Sequence, residues 1–255
     1  MNNKEKKLEL SGPKFIRIFG FNVFNDQLSK IKIDHNTKVI NCISPNNYGL
    51  TTKDPEFKKA MQTTDIIILD GVYFALASIF LKGKNIKRNQ GPDVFDYFIK
   101  HLEMTKGKAF FLGSSELVLE RIKKRAACEY PNIKVEYFSP PFKPEFSDDD
   151  NELMIRKINA FEPDILFVGM TTPKQDKWAI KHRDKVNAKL IATIGNVFDW
   201  YARTQKRIHP IWFKLRLGWL IRIFLRPEIF KRNIGNQMIF FWHLFLAILR
   251  IKKFN

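Results

Sequence analysis

Only two cysteines, Cys42 and Cys128, occur in the 255 residues, and they stand too far apart for a metal or redox spacing. A disulfide framework is excluded, and a reducing compartment is expected. The five histidines, at positions 35, 101, 182, 209 and 243, have no ligand spacing either. No Ser/His/Asp or Cys/His arrangement can be read, so neither a metal nor such a nucleophilic centre is expected. Long apolar runs are missing as well: the charge-free stretch Met238 to Leu249 has twelve residues, against the roughly 17 to 25 that span a bilayer. "MNNKEKKLELSGPKF" at the start lacks the apolar core of a secretory signal, which suggests a cytoplasmic protein. Acid is scarce towards the end. From Arg203 onward one acid, Glu228, faces twelve Lys and Arg.

The basic excess, +18 overall, calls for an anionic partner: nucleic acid, a membrane surface or a phosphorylated substrate. From about Lys14 to Gly195 short apolar runs alternate with helical patterns. Val39–Ile43, Ile66–Leu69, "KAFFLG", "IKVEYF", "DILFVGM" and "AKLIATIG" read as strands. Helices are expected over Asp54–Gln62, Val72–Leu81, Pro92–Glu103, Ser115–Glu129, Ser147–Phe161 and from Thr172. Apolar strands without strict alternation, separated by helices, indicate an α/β fold of Rossmann type, a mostly parallel sheet covered on both faces. The catalytic domain is placed at residues 1–200 and a basic amphipathic helical appendage at 201–255. In "IWFKLRLGWLIRIFLR" the residues Phe213, Leu217, Leu220 and Phe224 form one stripe, with Arg216, Arg222 and Arg226 mainly on other faces. With Lys252 and Lys253 beside the twelve-residue run, the appendage suits the headgroup region of a membrane. Capping of the core or a subunit interface is the bland alternative.

Ligands of open α/β sheets bind at the carboxyl ends of the strands. Four such ends are polar or glycine-bearing: "SPNN" (Ser44 to Asn47), Asp70–Gly71, "GSS" from Gly113, and "GMTTPKQ" ending at Gln175. Asp70 reads both as a cap of the next helix and as a carboxylate able to take a proton from a hydroxyl nucleophile. Thr171 or Thr172 is expected to cap the helix that carries Gln175. "SDDD" reads as a helix start capped by Ser147, not as a metal motif.

Taken in order, "NCISPNN", "DIIILDGVYF", "RNQGPDVFDYF", "KAFFLGSS", "PDILFVGMTTPKQDKW", "IGNVFDW" and "RIHPIWFKLRLGWLIRIFLRPEIFKR" resemble the WecG/TagA/CpsF family, glycosyltransferase family 26, over roughly residues 15 to 232. The resemblance implies an inverting, metal-independent enzyme without a cofactor. Such enzymes move N-acetylmannosamine or its uronic acid from a UDP-sugar to a polyprenyl-diphosphate-linked sugar at the cytoplasmic face of the membrane. It further implies Asp70 as base and Ser44 and Asn46 as pocket residues. Gly91 and Asp93 match the following Gly-x-Asp segment, Gln175 the Pro-x-Gln residue and Asp199 the acid near the nucleotide. Arg207, Arg222 and Arg232 match arginines that complete the site beside the membrane. Arg207 and Arg222 are expected to stabilise the departing diphosphate, and Gly71 and Gly113 to shape the substrate pocket. The rival classes are a nucleic-acid-binding protein, which no recognised motif supports, and an inert scaffold of the same fold. A homo-oligomer built on the apolar tail is open.

Overall fold

The computed structural model describes residues 12–34, 36–205, 212 and 227–254. Eight strands form one sheet in the order β1-β2-β4-β3-β8-β7-β5-β6. They are β1 (Phe15–Ile18), β2 (Phe21–Phe24), β3 (Lys38–Ile43), β4 (Ile66–Leu69), β5 (Lys108–Leu112), β6 (Lys134–Phe138), β7 (Ile165–Val168) and β8 (Leu190–Thr193). The inner runs "IIIL", "ILFV" and "LIAT" are buried at every position, as strands covered on both faces must be. The expected parallel α/β sheet is present. An antiparallel hairpin, β1–β2, extends one edge. Its Phe19–Gly20 turn has both residues at positive φ, 50° and 82°, the geometry of a two-residue hairpin turn.

The helices are α1 (Pro45–Thr51), α2 (Pro55–Gln62), α3 (Tyr73–Lys82), α4 (Gly91–Thr105), α5 (Glu116–Glu129), α6 (Asp148–Phe161), α7 (Lys174–His182), α8 (Val197–Tyr201) and α9 (Pro227–Ile248). Asp54 caps α2 through the Phe57 amide, with Pro55 at the first position. Ser147 and Asp150 form a capping box on α6, as expected of "SDDD".

Two expected caps are corrected. Helix α3 begins at Tyr73 with Val72 at its cap position, so the Asp70 side chain lies too far upstream to satisfy its amides. Helix α7 begins after Pro173 with no side-chain cap from Thr171 or Thr172. Helix α1, absent from the sequence expectation, is capped by Ser44, whose Oγ accepts from the Asn47 amide.

Helices α4, α5 and α8 pack on one face of the sheet around Phe111, Phe167 and Phe198. On the other face, α6 and α7 cover Phe110, Leu166 and Ile191. There α1, α2, α3 and α9 cover Ile43, Ile67 and Leu69. The connections after β5 and β7, neighbours in the sheet, thus depart to opposite faces. Between such strands the carboxyl ends open into a crevice.

After the boundary expected near residue 200 the chain returns to the same body. The run Met238–Leu249 is largely contained in α9, whose Phe240 is fully buried among Phe19, Tyr48 and Phe74. No described helix is long and apolar enough to cross a membrane. The proposed stripe at 213–226 lies outside the described residues.

Candidate active site

The central strands β3, β4, β5, β7 and β8 run parallel, so their carboxyl ends lie on one side of the sheet. At β4, buried Leu69 gives way to exposed Asp70, whose amide donates to the Ile43 carbonyl at 2.8 Å. Gly71 follows at φ 88°, a conformation that keeps other residues out. The Asp70 carboxylate makes no hydrogen bond or ion pair among the described residues. Its charge nevertheless reaches the neighbouring strand. Burial pushes the Cys42 thiol well up, and the charges of Asp70 and then Asp176 add to that.

At β3, the Ser44 hydroxyl is engaged with Asn47, accepting from its amide at 3.2 Å and donating to its Oδ1 at 3.1 Å. Asn47 in turn donates to the Cys42 carbonyl at 2.8 Å, which fixes the turn into α1. Asn46 is half-buried, and its Oδ1 accepts from Asn236 of α9 at 3.1 Å. The last helix therefore completes the wall beside Asn46. This contact rests on Gly49, where an added Cβ would overlap the Asn236 backbone.

On the β5–β7–β8 side the strand ends are shaped by backbone. Gly113 at the end of β5 has φ 102°, and a Cβ there would run into Met170 and the Gly169 carbonyl. Gly169 leaves room for the Phe198 ring. Gln175 is buried and accepts from the Met170 amide at 3.2 Å, so its side chain holds the β7–α7 turn closed. Asp199, half-buried in α8, accepts from the Thr204 hydroxyl at 2.9 Å. Gly91 packs its bare Cα side against Val197 and the Ile194 carbonyl, bringing the start of α4 beside the β8 turn. Asp93 points back to the Gln90 amide at 2.8 Å and is a capping residue of that helix.

Ser44, Asn46, Asp70 and Gly71 thus form one group at β3–β4, and Gly91, Gly113, Gln175 and Asp199 a second at β5–β7–β8. Arg232 is exposed on α9, one turn before Asn236, and its Nε lies 3.4 Å from Asn233 Oδ1. Arg207 and Arg222 lie outside the described residues. No group of three or more His, Cys, Asp or Glu among the described residues is placed to hold a metal. Two shallow polar clefts open at the amino ends of the strands, but their charges are already joined in Lys189–Asp164 and Arg183–Asp65 pairs.

Three participants were not singled out from the sequence. Asn236 and Gly49 carry no local signature, since their role exists only where α9 crosses α1. Asp176 directly follows Gln175 and is entirely buried; its place three residues before Ala179, on the helix face that also buries Trp178 and His182, was the available signal.

A family model described as "Glycosyl transferase WecG/TagA/CpsF family" matches residues 16–254. The match continues past Arg232, where the motif resemblance had ended, and takes in α9. An N-acetylglucosaminyldiphosphoundecaprenol N-acetyl-beta-D-mannosaminyltransferase of Staphylococcus aureus strain MRSA252 is 27% identical over 220 residues, covering 82% of this chain and 84% of that protein. Proteins of the same name from strains NCTC 8325 / PS 47 and COL are 26% identical over the same shares.

Proposed function

The chain belongs to the WecG/TagA/CpsF glycosyl transferase family, and on that premise we propose that it moves an N-acetylmannosamine-like sugar, or its uronic acid, from a UDP-sugar to a polyprenyl-diphosphate-linked sugar. Transfer proceeds with inversion and without a metal, at the cytoplasmic face of the membrane, in the assembly of a cell-surface polymer precursor. The names of the staphylococcal relatives support an N-acetylglucosamine-bearing lipid diphosphate as the acceptor class.

The single observation that carries the mechanism is Asp70: an exposed carboxylate with no hydrogen bond or ion pair among the described residues, where a fully buried strand ends. Asp70 takes the proton of the acceptor hydroxyl as that oxygen attacks the anomeric carbon. The bond from that carbon to the diphosphate breaks on the opposite face, and UDP leaves with the electron pair. Ser44, Asn46 and Gly71 flank the sugar. Gly113, Gln175 and Asp199 border the nucleotide, with Gly91 and Asp93 setting the helix beside it. Arg207 and Arg222, with Arg232, neutralise the diphosphate charge as it develops.

The lipid-facing surface is the outer stripe of α9. Met238, Trp242, Phe245 and Leu249 recur at helical spacing and are about half exposed, at 56%, 58%, 50% and 52%. Exposed Lys231 and Arg232 flank it at one end, and Arg250, Lys252 and Lys253 at the other. An apolar stripe bordered by cations suits an anionic bilayer surface, whereas nucleic acid gains nothing from it. UDP release from a panel of UDP-sugars, with a short-chain lipid-diphosphate sugar as acceptor, tests the proposal. Absence of turnover for every donor, with the protein folded, refutes it.

A further inference from the structure

We propose that Asp176 is a positioning residue that donates a hydrogen bond to Thr193, ending a one-way chain of buried hydrogen bonds that fastens the first turn of α7, with Gln175, to β8 and β3. Its enzymatic readout rests on the sugar-transfer reading; its structural readout does not.

Asp176 is wholly buried, and its Oδ1 lies 3.3 Å from Thr193 Oγ. Its Oδ2 is enclosed without a hydrogen-bond partner among the described residues. The remaining members assign their protons in one direction. The Thr64 hydroxyl donates to the Ala60 carbonyl at 2.8 Å, and the Asn41 amide donates to Thr64 Oγ at 2.8 Å. Asn41 Oδ1 must then receive a proton, and the Thr193 hydroxyl stands 2.8 Å away, nearer than to its other acceptor, the Ile40 carbonyl at 3.2 Å. A hydroxyl has one proton. With it directed to Asn41, the Thr193 oxygen offers Asp176 only lone pairs, so the carboxyl supplies the hydrogen.

The electrostatics agree with the geometry. Burial pushes the Asp176 carboxyl up from 3.8 to about 7, a value reached even were the Thr172 and Thr193 hydroxyls both to donate to the carboxylate. No described cation pairs with it. On its own helix Lys174 donates to the Lys143 carbonyl, and Lys177 is paired with Asp54 and Glu56 of α2. The titratable group of β3 within electrostatic reach is the Cys42 thiol, which senses both Asp176 and Asp70, the residue after β4. Ionised Asp176 would draw the Thr193 proton to itself and orphan Asn41 Oδ1 in the interior. It would also add a second negative charge near Asp70, where a diphosphate has to enter.

Asp176→Asn is the deciding variant, because its amide can donate to Thr193 and cannot ionise; Asp176→Leu removes the donor. The first measurement is the unfolding midpoint of wild type and Asp176→Asn against pH. The folded acid holds its proton above the unfolded value of 3.8, so its contribution is complete below that pH and is lost as pH rises towards about 7. Wild type should therefore lose stability relative to Asp176→Asn across that interval with the slope of one proton, and stay level above it. The second measurement is transfer against pH. Asp176→Leu should lower kcat about tenfold; Asp176→Asn should restore most of it and lack the decline expected of wild type above pH 7. A flat stability difference overturns the proposal, whether or not any UDP-sugar turns over. So does a well-folded Asp176→Asn that is as inactive as Asp176→Leu, since the carboxylate itself would then be needed.

Discussion

Asn236, midway along the last helix, donates to Asn46 at 3.1 Å and accepts from Lys53 at 2.7 Å, so one amide joins the C-terminal helix to the start of α1 and to the turn that follows it. The contact places a residue of the basic tail beside the group that contains Ser44 and Asp70. It also fastens α9 to the body of the fold. Phe240, one turn later, fills the space between Tyr48 and Phe74, and His243 meets the Tyr48 hydroxyl at 2.7 Å.

Gly49 is the position on which this docking depends. Gly49→Ala places a methyl group on the Asn236 backbone, so α9 must shift. A loss of about 1 to 3 kcal/mol is expected from such overpacking. Denaturant unfolding measures it, and faster amide exchange confined to α9 and α1 locates it.

Asp70→Asn changes an exposed side chain that caps no helix, so stability should move by less than about 0.5 kcal/mol. Sugar transfer should fall by roughly 10²- to 10⁴-fold, the usual worth of a general base. Turnover close to wild type would remove Asp70 from the chemistry.

Phe240→Ala empties a site with 0% exposure in the aromatic cluster under α1. Deleting a buried phenyl ring costs about 3 to 5 kcal/mol. The unfolding midpoint should drop accordingly, and binding of UDP at saturating concentration should recover part of the loss if the folded site survives.

His182 gives the fold an acid-sensitive point. It is 5% exposed, packs on Trp178 with ring centroids 5.2 Å apart, and leaves Nδ1 without a partner among the described residues. Burial, helped by Lys181 and Lys185, pulls it from 6.5 down to about 4. The unfolded chain therefore takes up a proton first as pH falls, and the stability present above pH 6.5 is lost on the way down to about 4. The loss is on the order of 3 kcal/mol. His182→Phe should flatten that limb of the pH–stability curve.

Trp242→Glu together with Phe245→Glu alters side chains that are 58% and 50% exposed, so folding should be unaffected. Flotation with vesicles rich in anionic lipid should fall sharply. Unchanged flotation, with a monomer replacing a dimer in sedimentation, would assign the stripe to a subunit interface.

The strand cores were legible because burial on both faces writes itself as uninterrupted apolar residues, as in "IIIL" at Ile66–Leu69 and "ILFV" at Ile165–Val168. The cap at Ser147 was equally local, since a side chain reaching its own helix needs only the right spacing, and Asp54 plays the same part where a helix start was expected. The same logic misled at Asp70. Two residues intervene before α3 begins, and that start is set by packing of Tyr73 and Phe74, not by a cap. The Phe19–Gly20 turn lacks the Asn-Gly or Asp-Gly signal by which two-residue hairpins are found. Sequence alone therefore determined the layered α/β plan and gathered the polar strand ends, because periodicity and turn chemistry act between near neighbours. Tertiary structure decided which side of α9 is core and which is exposed, that Gln175 holds a turn while adjacent Asp176 is sealed inside, and that Asn236 stands beside Asn46. Each of those depends on which surfaces meet across long stretches of chain, and both sides of α9 are apolar enough that only its contact with α1 tells them apart.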